Sequence, residues 1–236
     1  MDALPEVIYL HGLGSSPQSD KAVLVTRHLQ GLGYRTHLPE LSVPSLAGLS
    51  VDEAVATAVR CIEQAQTSNT GCFVVGSSFG GFLALRALRQ LTDTASNGVR
   101  GVVLLAPVLT PWHPTAGMIT PKMEQAWEQE GFFPVEESAS GKVVPVHVEF
   151  IRQLKRHSTE GLRVTCPTLI IHGDRDEVVP VAQSIDFCSQ QPIAKLVVLE
   201  DNHRLLAHPD RLLAEIESFV KGAERVIFTK EHSRRV

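Results

Sequence analysis

The run Cys72-Phe-Val-Val-Gly-Ser-Ser-Phe-Gly-Gly81 constrains this chain more than any other stretch of it. Its opening residues carry no charge, Gly76-Ser77-Ser78-Phe79-Gly80 follows, and Phe82 to Leu91 is a helix-forming run. That order predicts a strand, a sharp turn and a helix. A Gly-x-Ser-x-Gly turn in this setting lifts the serine hydroxyl off the sheet edge and leaves a helix N-terminus facing it. Glycine suits positions 76 and 80 because strand and helix come too close there for a side chain, and the turn holds strained torsions. Ser77 falls outside the spacing, so Ser78 is the candidate nucleophile. The same pentapeptide also occurs by chance or at the end of an ordinary buried strand. Its meaning depends on whether the chain brings a base, an acid and an oxyanion site to the same place.

Val7–Leu10, Tyr34–Leu38, Gly101–Pro107, Thr168–Gly173 and Lys195–Leu199 are further short apolar runs, giving about six strands with the one before the turn. Short strands without polar alternation are buried on both faces, as in a parallel sheet. They alternate with helical spacing over residues 19–31, Val51–Gln66 and Pro209–Val220, and Ser50 with Glu53 forms a capping box before the second of these. The expected fold is a three-layer α/β sandwich, a mostly parallel sheet with helices on both faces and right-handed crossovers. A length of 236 residues suits a single domain spanning 1–236.

One segment, roughly 110–165, breaks the alternation. It holds both tryptophans, Trp112 and Trp127, with Phe132, Phe133 and a concentration of prolines. Short helices are expected over Gln125–Gln129 and Glu149–Arg156, with a hairpin from Phe132 to Val148 turning near Ser140-Gly141. The segment could be a packed excursion that protects the sheet edge. Aromatic insertions beside a polar sheet edge also build lids and acyl pockets, which makes Trp112, Trp127, Phe132 and Phe133 the substrate-pocket candidates.

Composition narrows the partners. Hydrophobic residues are 43% and charged residues 20%, ordinary for a globular protein, and the net charge of −4 gives no electrostatic case for nucleic acid or an anionic membrane. Cys61, Cys72, Cys166 and Cys188 lack metal-ligand or disulfide spacing, so a reduced, cytoplasmic setting is expected. Neither a secretory signal nor an 18-residue apolar run is present in the sequence, and no membrane span is expected. Arg234 and Arg235 read as a solvated basic tail.

Function in an open parallel sheet gathers at the C-terminal strand ends. Four such ends deliver His11-Gly-Leu-Gly14, Ser78, His172-Gly-Asp-Arg-Asp176 and Glu200-Asp-Asn-His203. A serine hydroxyl needs a base to take its proton, and a histidine base needs a carboxylate to fix its tautomer. The order Ser78, Asp176, His203 supplies all three, with Asp174 as a competing acid. His11 and His172, beside glycines, are expected to shape loops, and His208 to sit at a helix start.

His11-Gly-Leu-Gly-Ser-Ser16, Gly76–Gly81, His172–Pro180 and Asp201-Asn-His-Arg204 together resemble the α/β-hydrolase superfamily over almost the whole chain. The early His-Gly-Leu-Gly-Ser-Ser-Pro resembles small YqiA-type esterases. Val164–Pro167, the acid loop and Asp201–Arg204 are similar to the acyl-protein thioesterase and acyl-glucuronide esterase branch. In the superfamily's His-Gly-x-x-Asp pattern the fifth residue faces the histidine, which implies Asp176 as the acid and leaves Asp174 to brace the loop. The resemblance also implies an oxyanion hole from the backbone N–H groups of Phe79 and Leu13, and hydrolysis of a small-molecule ester or thioester through an acyl-enzyme. It implies no cofactor and no metal. A peptidase of the prolyl-oligopeptidase-like branch and a non-catalytic scaffold of the same fold are the alternatives.

Overall fold

The aliphatic runs pair side by side because each can bury both faces only between two neighbours and under two helical layers. A computed structural model describes residues 3–67, 70–91, 98–112, 119–138, 140–157 and 162–232, with the backbone alone from 224 onward. Arg234 and Arg235 lie outside the described residues. The first half runs β1 (Glu6–Leu10), α1 (Asp20–Gly31), β2 (Arg35–His37), α2 (Val51–Gln66), β3 (Cys72–Ser77), α3 (Phe79–Gln90) and β4 (Val99–Leu105). The insertion contributes α4 (Pro121–Glu130), β5 (Phe132–Glu137), β6 (Lys142–His147) and α5 (Glu149–Arg156). β7 (Thr168–Gly173), α6 (Ala182–Ser189), β8 (Ala194–Leu199) and α7 (Pro209–His232) complete the chain.

Six strands form one sheet in the order β2-β1-β3-β4-β7-β8, every neighbouring pair parallel. The register aligns Leu10 with Gly76, Ser77 with Leu105 and Gly173 with Leu199, so four loops open onto one edge. Side-chain alternation divides the core. Phe73, Val75, Val103 and Leu105 pack towards α1 and α7, whereas Cys72, Val74, Val102 and Leu104 pack towards α2, α3 and the insertion. This is the three-layer α/β-hydrolase architecture expected. Ser50 caps α2 by accepting from the Glu53 N–H at 3.2 Å, as its spacing implied.

The insertion is built on its own hairpin, in which antiparallel β5 and β6 pair Phe132 with His147 and Glu137 with Lys142. α4 is longer than the five residues expected. Thr120 accepts from the Met123 N–H, Pro121 occupies the first turn, and Gly131 at φ 78° ends the helix at a left-handed cap. The hairpin leans on the loop after β1: the Ser138 N–H donates to Gly14 O at 2.7 Å, and a Cβ on Gly14 would sit 2.4 Å from Glu136 O. At its far end Gln153 Oε1 accepts from Ser50 Oγ and the Asp52 N–H, fixing α5 to the start of α2. Among the described residues no helix is long and apolar enough to cross a membrane.

Candidate active site

Ser78 sits at φ 54°, ψ −119°, a conformation that costs a non-glycine residue about 1–3 kcal/mol. The surroundings leave it no other. A Cβ on Gly80 would lie 2.0 Å from Leu10 O, and one on Gly76 would lie 2.6 Å from Gly80 O. Gly81 packs against Pro107, where a Cβ would be 2.7 Å from the proline ring. The Ser78 N–H donates to Leu105 O at 2.9 Å, and its carbonyl accepts from the N–H groups of Gly81 and Val108. Ser77, by contrast, is buried and hydrogen-bonded to the phenol of Tyr9, whose ionisation burial pushes well above its ordinary range.

The Ser78 hydroxyl lies 3.0 Å from Nε2 of His203, and Nδ1 of the same imidazole lies 2.7 Å from Asp176 Oδ2. With a carboxylate at Nδ1, that nitrogen carries the proton and donates it, leaving the Nε2 lone pair free to accept from the serine. Asp176 is wholly enclosed, with 0% of its side chain exposed. Burial raises its pKa, but hydrogen bonds from His172 and His203, attraction to His203 and the Val179 N–H together hold the carboxyl well below the ordinary carboxylate range. Its Oδ1 accepts from the N–H groups of Val178 and Val179 at 2.9 and 2.8 Å.

His172 is the second imidazole on that carboxylate. Its Nε2 faces Asp176 Oδ2 at 3.1 Å and Val179 O at 2.8 Å, so Nε2 carries the proton, and Nδ1 accepts from Ser184 Oγ at 2.7 Å. Asp174 points elsewhere. It is exposed, and its Oδ1 accepts from the Asp201 N–H at 3.1 Å, linking the acid loop to the loop of His203.

The loop after β1 closes the other side of Ser78. A Cβ on Gly12 would be 3.1 Å from that of Ser78, a tight contact, so glycine lets the chain pass close to the serine with the Leu13 peptide next in line. His11, 2% exposed, accepts the Leu41 N–H at Nε2, which leaves Nδ1 to donate to Gly12 O at 3.0 Å. Phe79 is the first residue of α3, and its N–H is one of the donors a helix N-terminus leaves free.

A family model described as an uncharacterised protein family, UPF0227, matches residues 6–221. The chain belongs to UPF0227. Its YqiA-like character agrees with the resemblance carried by the loop after β1. No curated protein matches this UPF0227 chain. Among solved structures, mouse alpha/beta hydrolase domain-containing protein 10 superposes with a TM-score of 0.74 at 20% identity, covering 92% of this chain and 90% of that one. Est1E from Butyrivibrio proteoclasticus, solved with ferulic acid, gives 0.73 at 19% identity, covering 94% and 90%. A monoacylglycerol lipase from Paleococcus ferrophilus gives 0.69 at 16% identity, covering 94% and 96%. At these identities the likeness establishes that this chain has the α/β-hydrolase fold.

The aromatic residues of the UPF0227 insertion occupy different environments. Trp127 is 2% exposed, with its indole N–H on Val146 O at 2.8 Å and its ring between Phe133 at 4.7 Å and Phe150 at 5.8 Å. Phe150 in turn meets Phe79 edge-on at 5.5 Å, which links the insertion to the residue beside Ser78. Trp127 therefore supports this column from within. Trp112 is half-buried and donates to Glu124 Oε2, whereas Phe132 is 47% exposed on the hairpin's outer face. Helix α6 was not anticipated, and it supplies two supports. Ser184 holds His172, and Gln183, 1% exposed, accepts the N–H groups of Leu109 and Thr110 at 2.9 Å each where the insertion begins. No apolar face announces this helix in the sequence, since Ile185 is exposed and Phe187, two residues on, lies on the opposite side.

Proposed function

We propose that this UPF0227 protein is a serine hydrolase that cleaves carboxylic esters or thioesters through an acyl-enzyme on Ser78. The observation that carries the reading is the continuous line from Ser78 Oγ through His203 to Asp176, with contacts of 3.0 and 2.7 Å. As Ser78 Oγ bonds to the acyl carbon, its proton passes to Nε2 of His203. Asp176 stabilises the imidazolium without taking the proton. The displaced carbonyl electrons become an oxyanion at the N–H groups of Phe79 and Leu13, where helix-terminal donors and the α3 dipole favour negative charge. Collapse breaks the bond to the alcohol or thiol, which takes the proton from His203. Water then repeats the sequence and releases the acid. The depressed Asp176 favours an ionised acid throughout the neutral range. The four free cysteines fit a reducing, cytoplasmic setting.

A fluorophosphonate probe should label Ser78, and Ser78→Ala should abolish labelling and lower kcat by about 10⁶ while the protein stays folded. Labelling at Ser77, or hydrolysis surviving in Ser78→Ala, would overturn the assignment. A panel of p-nitrophenyl esters, acyl thioesters and acyl-CoA substrates separates ester from thioester preference.

A further inference from the structure

The loop that carries His203, between β8 and α7, is held from an unexpected direction. Lys21 Nζ, in the first turn of α1, donates to the main-chain carbonyl of His203 at 3.0 Å. Its neighbour Asp20 accepts from the Arg204 guanidinium at 2.7 Å, so two adjacent residues of α1 grip two adjacent residues of the base loop. Within that loop, Asp201 accepts from the N–H groups of Asn202 and Ala207, and Leu205 is forced to φ 56°. α1 itself follows the loop that carries Gly12 and Leu13.

We propose that Lys21 is a positioning residue for His203: its ammonium fixes the peptide that carries the base and so sets Nε2 against the Ser78 hydroxyl. This role rests on the serine-hydrolase reading. The direct bond is to a carbonyl, and the charged groups around it are Asp176 and Asp201, which attract the ammonium, and Arg204, which repels it. Part of Lys21 remains in contact with solvent, but the ammonium lies deep enough that burial pulls its pKa down to about 8, against the two carboxylates. The charge is therefore present below about pH 8 and lost above it. A charge-assisted hydrogen bond is about twice as strong as a neutral one, so the grip on His203 weakens as Lys21 deprotonates.

The test is the rate of fluorophosphonate labelling of Ser78 in the full chain, from about pH 6 to about pH 10, in wild type, Lys21→Met and Lys21→Arg. The wild-type rate should fall roughly tenfold through the Lys21 titration. Lys21→Met should label roughly tenfold more slowly at neutral pH with no further alkaline fall, and Lys21→Arg should move the fall upward, since a guanidinium stays charged. A wild-type rate flat to about pH 10 overturns the proposal whatever the variants do, so it can be tested even if Lys21→Met does not fold. A wild-type fall that survives unchanged in Lys21→Met or Lys21→Arg overturns it equally, because the titrating group is then another. Absence of Ser78 labelling in the wild type overturns the hydrolase reading itself, whereas labelling indifferent to Lys21 overturns this role alone.

Discussion

The sheet edge that carries Ser78 and the insertion beside it are held in different proportions by backbone and by side chains. At the edge, backbone meets backbone: Gly80 against Leu10, Gly76 against Gly80, Gly173 against Asp201 and Asn202. None of these contacts leaves room for a Cβ. The insertion shares backbone contacts of this kind at Gly14 against Glu136 O and at the His147 N–H on Ala47 O, but its packing runs mainly through side chains, through the column Phe79, Phe150, Trp127 and Phe133 and through ion pairs such as Arg152 with Glu128, both partners more than a third exposed. Exposed pairs of that kind are screened by solvent and hold weakly. The edge therefore has one geometry that it keeps or loses, whereas the insertion can be loosened by degrees. Substitutions at the edge should act as thresholds, and substitutions in the insertion should grade.

The largest separation is expected inside one loop at the edge. Asp176→Asn keeps the shape of the carboxyl but presents the wrong partner to Nδ1 of His203, and kcat should fall by about 10⁴. Asp174→Asn, whose side chain meets the Asp201 N–H and Arg175 and not His203, should cost far less. Steady-state kinetics on both variants decides, and a reversed ranking would move the acid to Asp174. The pH dependence follows from the depressed pKa of Asp176. A carboxylate stabilised in the fold contributes stability above its unfolded pKa of about 3.9, and that contribution disappears as the pH falls below it. Asp176→Asn should therefore be most destabilised relative to wild type near neutrality, and the gap should close in acid.

Gly80→Ala is next in size. The added methyl would lie 2.0 Å from Leu10 O, so strand and helix must separate, at the upper end of the ~1–3 kcal/mol that overpacking costs or above it. Urea unfolding measures this directly. A loss under about 0.5 kcal/mol, the size of a neutral surface substitution, would mean the interlock has slack, and the contrast with the insertion would fail.

What was legible in the sequence follows the same division. Interlocked backbone demands glycine at fixed positions, and the demand is written openly at Gly76 and Gly80. The Ser50 cap and the Phe132–His147 hairpin were equally visible, because caps and turns require particular residue types nearby in sequence. Three features were not. α6 is a short helix with Ile185 exposed, so it lacks the apolar face that reveals longer helices. α7 runs to His232, beyond the Val220 expected, because Gly222 falls within the helix and reads as a stop. Lys21 gave no local sign at all, since its bond to His203 spans 182 residues of sequence. Contacts of that kind depend on how layers stack, which a pattern along one segment does not contain.

The smallest effects should come from the insertion, and one adjacent pair there sharpens the comparison. Phe132 and Phe133 are neighbours on β5 and so face opposite sides. Phe133 packs against Trp127 at 4.7 Å, whereas Phe132 is 47% exposed beside its cross-strand partner His147. Phe133→Ala should cost about 2 kcal/mol of stability, less than a fully buried phenylalanine, and change kcat/KM by a similar factor for every substrate, because it loosens the column that reaches Phe79 beside Ser78. Phe132→Ala should stay within about 0.5 kcal/mol of wild type in stability. If Phe132 covers the acyl chain, its effect appears elsewhere. Each buried methylene is worth about 0.8 kcal/mol, so kcat/KM in the wild type should rise by one to two orders of magnitude over a few added carbons, and Phe132→Ala should flatten that rise. Measuring kcat/KM against chain length for both single variants distinguishes the two roles. A slope unchanged in Phe132→Ala would confine the insertion to packing. A slope lost only in Phe133→Ala would put the acyl chain on the inner face of the hairpin, and the pocket candidate would move with it.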